Sequence, residues 1–141
     1  MPELRRESEQ TNDQRFPLGP AATSADAVRQ FESRLAFETD CWDVNHASKR
    51  GAGGFVVLDV RSPADYAAGH VPGAVNLPHA LITEARLTTY PRDMLFVVYC
   101  SGPHCNGADR AALRLARLER PVKKMIGGIT GWKTEGFALE S

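Results

Sequence analysis

The stretch VVYCSGPHCNGADRAALRLARLE, Val97–Glu119, ends an apolar run in a cysteine, loops briefly over Ser101–Asn106 and enters a helical pattern at once. The apolar run reads as a buried strand closing at Cys100. Ala108, Ala111, Ala112, Leu115 and Leu118 recur at helical spacing, so a helix is predicted from about Asn106 to Glu119, ended by Pro121. In open α/β sheets, ligand sites form just outside the carboxyl ends of the strands, where Cys100 falls. Unpaired N–H groups at a helix start and the positive end of its dipole favour an anion there. Gly102 and Gly107 let the loop curl so that its N–H groups converge. Cys100 is therefore expected to be held as a thiolate of lowered pKa, the nucleophilic form of cysteine. The competing reading is a buried, inert cysteine at a strand end.

The rest of the chain supports an α/β fold. GFVVLDV (Gly54–Val60) is a continuous apolar run, the pattern of a strand covered on both faces. MLFVVYC (Met94–Cys100) and VKKMI (Val122–Ile126) are further strand candidates, with short strands expected in LAFET (Leu35–Thr39) and AVNL (Ala74–Leu77). Between them fall helical patterns. SADAVRQFESRL starts at Ser24 as cap, with Ala27, Val28, Phe31 and Leu35 on one face. DCWDVNHASKRG is capped by Thr39 or Asp40 and closed by Gly51. SPADY has Ser62 as cap and Pro63 at the first helical position, and TGWKTEGF is closed by Gly136. Strands alternating with helices predict a central, mainly parallel sheet flanked by helices in three layers. Residues 1–23 hold few large apolar side chains, so they read as a mobile arm ahead of a domain over 24–141.

The chain has 141 residues, enough for one core without metal or disulfide staples. Lys+Arg and Asp+Glu both number 17, so net charge offers no electrostatic basis for a nucleic-acid or membrane partner. The polar N-terminus has no apolar signal region, and the compartment expected is the cytoplasm. Three cysteines, an odd number, do not make a disulfide framework.

Four pieces together resemble the rhodanese-like family, which includes single-domain sulfurtransferases: LDVRSPADYAAGHVPGAVNLP, the cysteine loop VVYCSGPHCNG, the small-residue helix ADRAALRLARL, and VKKMIGGITGWKTEGF. The resemblance runs from about Leu35 to the C-terminus. It implies a five-stranded, mainly parallel sheet flanked by helices. It also implies that Cys100 takes sulfane sulfur from thiosulfate or a related donor, holds it as a persulfide and passes it to a thiol or cyanide, with no external cofactor. The amides of Ser101, Gly102, His104, Cys105 and Asn106 would then bind the anionic sulfur, although Pro103 donates none. Asp59 and Arg61 match the family's Asp-x-Arg. Arg61 would help attract an anionic donor and Asp59 would brace a loop, the alternative being a structural ion pair. His70, Gly127, Gly128 and Trp132 read as turn and packing residues. The expected partners are a small sulfur donor and a thiol acceptor, with an acceptor protein as a further candidate.

The loop departs from the family in lacking Arg or Lys before Arg110, His104 being its one side chain able to carry positive charge. It also carries Cys105, which could attack a Cys100 persulfide or sulfenic acid and give a disulfide. This motivates the alternative function, a regulatory, redox- or sulfide-sensing module using Cys100 and Cys105. Cys41 reads as core. Cys100, His104 and Cys105 have the chemistry of zinc ligands, but the spacing matches no common zinc module and no fourth ligand is evident. A cysteine-loop phosphatase or arsenate reductase would need an Arg at the loop's end, where Asn106 stands. The stripe Arg110, Arg114 and Arg117 reads as a solvated helix face, with an acidic partner as the alternative.

Overall fold

The computed structural model describes residues 17–141, so most of the predicted arm lies outside the described residues. The chain divides into two compact units, and Arg34–Ser141 holds all five strands and every predicted site residue. The elements in order are α1 (Ser24–Phe37), β1 (Glu38–Thr39), α2 (Cys41–Lys49), β2 (Phe55–Asp59), α3 (Pro63–Ala68), β3 (Val75–Asn76), two 3₁₀ turns (His79–Leu81 and Glu84–Leu87), β4 (Leu95–Tyr99), α4 (Gly107–Arg117), β5 (Val122–Met125) and α5 (Gly128–Thr134).

The strands form one sheet in the order β1-β5-β4-β2-β3, and every pairing is parallel. β4 is central, with Phe96 and Val98 opposite Val56 and Leu58 of β2. Alternation along the strands sends side chains to two cores. Leu58, Phe96, Val98 and Cys100 pack with Ala108, Ala111 and Leu115 of α4 on one face. Val57, Val97, Tyr99 and Met125 pack on the other with Cys41 and Val44 of α2 and Ile129 and Trp132 of α5. Both faces of the sheet are covered, which is why β2 and β4 are written as unbroken apolar runs. Each fully buried Leu, Val or Phe contributes about 1.5–3 kcal/mol.

Local chemistry sets the helix ends. The Asp40 carboxylate accepts from the Asp43 N–H at 2.8 Å, and Ser62 accepts from the Asp65 N–H at 3.2 Å with Pro63 in the first turn. Two details differ from the sequence expectation. Thr23, not Ser24, caps α1, accepting from the Asp26 N–H at 3.1 Å. LAFET is mostly helix, leaving Glu38–Thr39 as strand, and Val28, Phe31 and Leu35 of the apolar stripe are exposed. Periodicity reports that one side of a helix is apolar, not that something covers it.

Candidate active site

Cys100 is the first residue past β4, at the carboxyl edge of the central strand. Its main chain is clamped from below by α5. The Cys100 carbonyl accepts from the Ile129 N–H at 3.0 Å. The Ser101 carbonyl accepts from the Thr130 N–H at 3.0 Å and from the Thr130 hydroxyl at 2.9 Å. This contact is possible because Gly128 carries no side chain, and its φ of +60° suits glycine. The paired glycines of the last motif therefore position the cysteine loop.

The loop then turns back on itself. The Cys105 N–H donates to the Gly102 carbonyl at 3.1 Å, closing a four-residue turn with Pro103 in its second position. Gly102 is buried against Thr130, whereas Pro103, His104 and Asn106 are exposed. The Asn106 side chain accepts from Arg110 Nε at 3.1 Å. Arg110 lies within α4, as the sequence reading required. Cys105 is returned to the strand end, beside Cys100. A Cβ on Gly107 would lie 2.7 Å from Cys100 Sγ and 3.5 Å from Cys105 Sγ, so both sulfurs crowd the space that this glycine leaves.

Gly107, the first residue of α4, donates its N–H to Cys105 Sγ at 3.4 Å. The Cys105 thiol is held below the ordinary cysteine range, first by its hydrogen bond from Cys100 and then by the Gly107 amide. Cys100 moves the other way. Burial raises its pKa, the hydrogen bond to Cys105 raises it further, and the Ser101 amide and hydroxyl oppose both. The expectation of a Cys100 thiolate of lowered pKa is thus corrected. Its side chain is 7% exposed and packs with Ala108 and Ala111, and desolvation disfavours the charged form. Of the two thiols, Cys105 is the one whose ionisation its surroundings favour.

Two openings reach the sulfurs. One, of about 430 Å³, is lined by Arg34, Cys100, Gly102, Cys105, Lys124 and Gly128 among others. The second, of about 390 Å³, is lined by Arg61, His79, Cys100, Ser101, Cys105 and Asn106 among others. Arg61 does not present the free cation expected of it. Its guanidinium lies inward on both carboxylate oxygens of Asp59, at 2.7 Å from NH2 to Oδ2, and on the Gly69 carbonyl at 2.7 Å. Asp59 is fully buried and also accepts from the Tyr99 hydroxyl at 2.6 Å and the Arg61 N–H at 3.0 Å. This is a knot joining β2, β4 and the turn after α3. Positive charge in the first opening comes instead from Arg34 and Lys124, which sequence reading did not single out. Lys124 is paired with Asp109 at 2.9 Å and Arg34 with Glu38 at 3.5 Å. The signal that could have found Lys124 is its place near the end of the strand beside β4.

Cys41 is buried under Gly128, facing the Ile126 and Gly128 carbonyls at 3.6 and 3.7 Å, and burial, with Asp40 and Glu135, pushes its thiol up to about 11. His70 donates Nδ1 to the Tyr66 carbonyl at 2.8 Å and stacks on Tyr66 at 3.7 Å. Trp132 Nε1 donates to the Ala138 carbonyl at 2.8 Å. Among the described residues no group of three or more His, Cys, Asp and Glu is disposed to hold a metal ion, and no helix is long and apolar enough to cross a membrane.

A family model for the rhodanese-like domain matches residues 45–135, spanning both the Asp59–Arg61 knot and the Cys100 loop. The chain belongs to the rhodanese-like domain family. Relatives of this rhodanese-like chain include an HTH-type transcriptional regulator of Mycobacterium tuberculosis, 38% identical over 65% of this chain and 40% of the regulator. A sulfurtransferase of Allochromatium vinosum is 33% identical over 60% of this chain and 77% of that protein. Among solved structures, the BH2092 protein of Bacillus halodurans superposes with a TM-score of 0.82 at 35% identity, covering 84% of this chain and 87% of that one. This rhodanese-like chain thus spans less than half the length of the regulator.

Proposed function

We propose that the protein is a sulfurtransferase that carries sulfane sulfur on Cys100, taking it from thiosulfate or a related donor and giving it to a thiol or cyanide. The observation that carries the reading is Cys100 Sγ at the carboxyl edge of the central strand, reached through an opening that Arg34 and Lys124 line. Thiosulfate is a dianion, and cations at the mouth of a cleft raise its local concentration. Family membership and the sulfurtransferase relative support the same chemistry.

In the first half-reaction Cys100 sulfur attacks the outer sulfur of thiosulfate. The donor's S–S bond breaks, sulfite leaves with the electron pair, and a Cys100 persulfide forms. The Cys100 proton is lost to solvent as the attack proceeds. Mass spectrometry of the intact protein after thiosulfate or a thiosulfonate should show one added sulfur atom, absent in Cys100→Ser. If the wild-type chain gains none from either donor, the reading fails.

A second reading is favoured by the two thiols flanking Gly107 together and by the regulator relative: a redox- or sulfide-sensing module. It requires stoichiometric modification without turnover, so steady-state release of sulfite from thiosulfate separates the two.

A further inference from the structure

The sulfurtransferase reading uses Cys100 and leaves unexplained why a second, half-exposed cysteine is folded back onto it. Three independent features converge on Cys105. The turn closed between Gly102 and Cys105 returns its side chain to the strand end. The absence of a side chain at Gly107 lets both sulfurs share one space. The Gly107 N–H points at the Cys105 sulfur. Cys105 also lines both openings together with Cys100. A cysteine serving only as packing at a helix start needs neither the amide nor the exposure.

We propose that Cys105 is a second nucleophile, which resolves the Cys100 persulfide within the loop and releases hydrosulfide. This rests on the sulfurtransferase reading and names its acceptor: the chain's own thiol first, and an external dithiol afterwards. The Cys105 sulfur attacks the inner sulfur of the persulfide, which is Sγ of Cys100. A Cys100–Cys105 bond forms, the bond to the outer sulfur breaks, and that sulfur leaves with the electron pair. The Cys105 thiol proton departs with it as HS⁻. The two cysteines are oxidised to a disulfide by two electrons, and the sulfane sulfur is reduced to sulfide. A dithiol reductant returns the loop to its starting state by thiol–disulfide exchange. The overall activity is reduction of a sulfane donor to sulfide at the expense of a dithiol.

The test uses the full reduced chain, freed of external thiol and given thiosulfate or a thiosulfonate in slight excess. Sulfide, intact mass and the disulfide map of proteolytic peptides are measured for wild type, Cys105→Ser and Cys105→Ala. The expected result is one equivalent of sulfide from wild type, with the loss of two hydrogens from its mass and a peptide linking Cys100 to Cys105. The Cys105 variants retain one added sulfur and release none. The proposal is overturned if wild type holds a stable persulfide with no sulfide released, a result that leaves the sulfurtransferase reading standing. It is also overturned if the variants release sulfide as wild type does. If no protein gains sulfur and none is oxidised, both readings fall together. The disulfide map of wild type decides the matter even where a variant folds poorly.

Discussion

A Cβ placed on Gly128 would lie 2.4 Å from the carbonyl oxygen of Cys100. The first turn of α5 and the Cys100 peptide are thus in direct backbone contact, and the loop's position depends on a residue far along the chain. Gly128→Ala should break this. The left-handed conformation costs about 1–2 kcal/mol for a residue with a Cβ, and the clash with the Cys100 backbone adds to it. Urea unfolding should show lower stability together with faster alkylation of Cys100 as its loop loosens. Unchanged stability and labelling would mean that the contact is dispensable.

The three thiols should titrate in a fixed order. Cys105, whose pKa is lowered, exposes thiolate at the lowest pH. Cys100 and Cys41 follow above the ordinary cysteine range, Cys41 at about 11, because both pKa values are raised. Site-resolved alkylation rates across pH report this order directly. Cys105→Ala removes the group that raises Cys100 second only to burial, so the Cys100 profile should move to lower pH. A Cys100 profile that stays in place would show that the two sulfurs are not in contact.

Lys124 should set donor affinity more than turnover. Its side chain is about a quarter exposed and shared with Asp109, so its loss should raise KM for thiosulfate about two- to fivefold. kcat should change little, and the effect should shrink with added salt. Cyanide, the acceptor, provides the control, since its KM should be far less affected. A fall in kcat alone would place Lys124 outside the donor's path.

Asp59→Ala should unfold or severely weaken the chain. It leaves the Arg61 guanidinium buried without its partner and strands the Tyr99 hydroxyl, and breaking a buried ion pair from one side costs about 3–5 kcal/mol. Thermal or urea unfolding measures this. Arg61→Met, which removes the cation and keeps packing, should cost less, and the protein that remains folded should still take sulfur on Cys100. Loss of persulfide formation in a folded Arg61→Met would give Arg61, which also lines the second opening, a role in donor binding.

Local chemistry was enough to write most of the fold. Unbroken apolar runs declared β2 and β4 as strands buried on both sides, Asp40 and Ser62 declared helix starts, and the apolar run ending at Cys100 placed it at a strand end. These signals are local, because they depend on periodicity and on side chains capping their own neighbours. The charge states were not legible in that way. Whether a thiol ionises depends on how deeply it is buried and on which amide faces it, and both are set by the packing of α4 against β4. The same holds for the cations at the opening. Arg34 and Lys124 come from separate elements, and Arg61, within the Asp-x-Arg motif, is claimed by Asp59 in the knot with Tyr99. Desolvation and Coulomb forces act through space, so only the assembled layers decided which thiol is favoured to ionise and brought Arg34 and Lys124 to the opening.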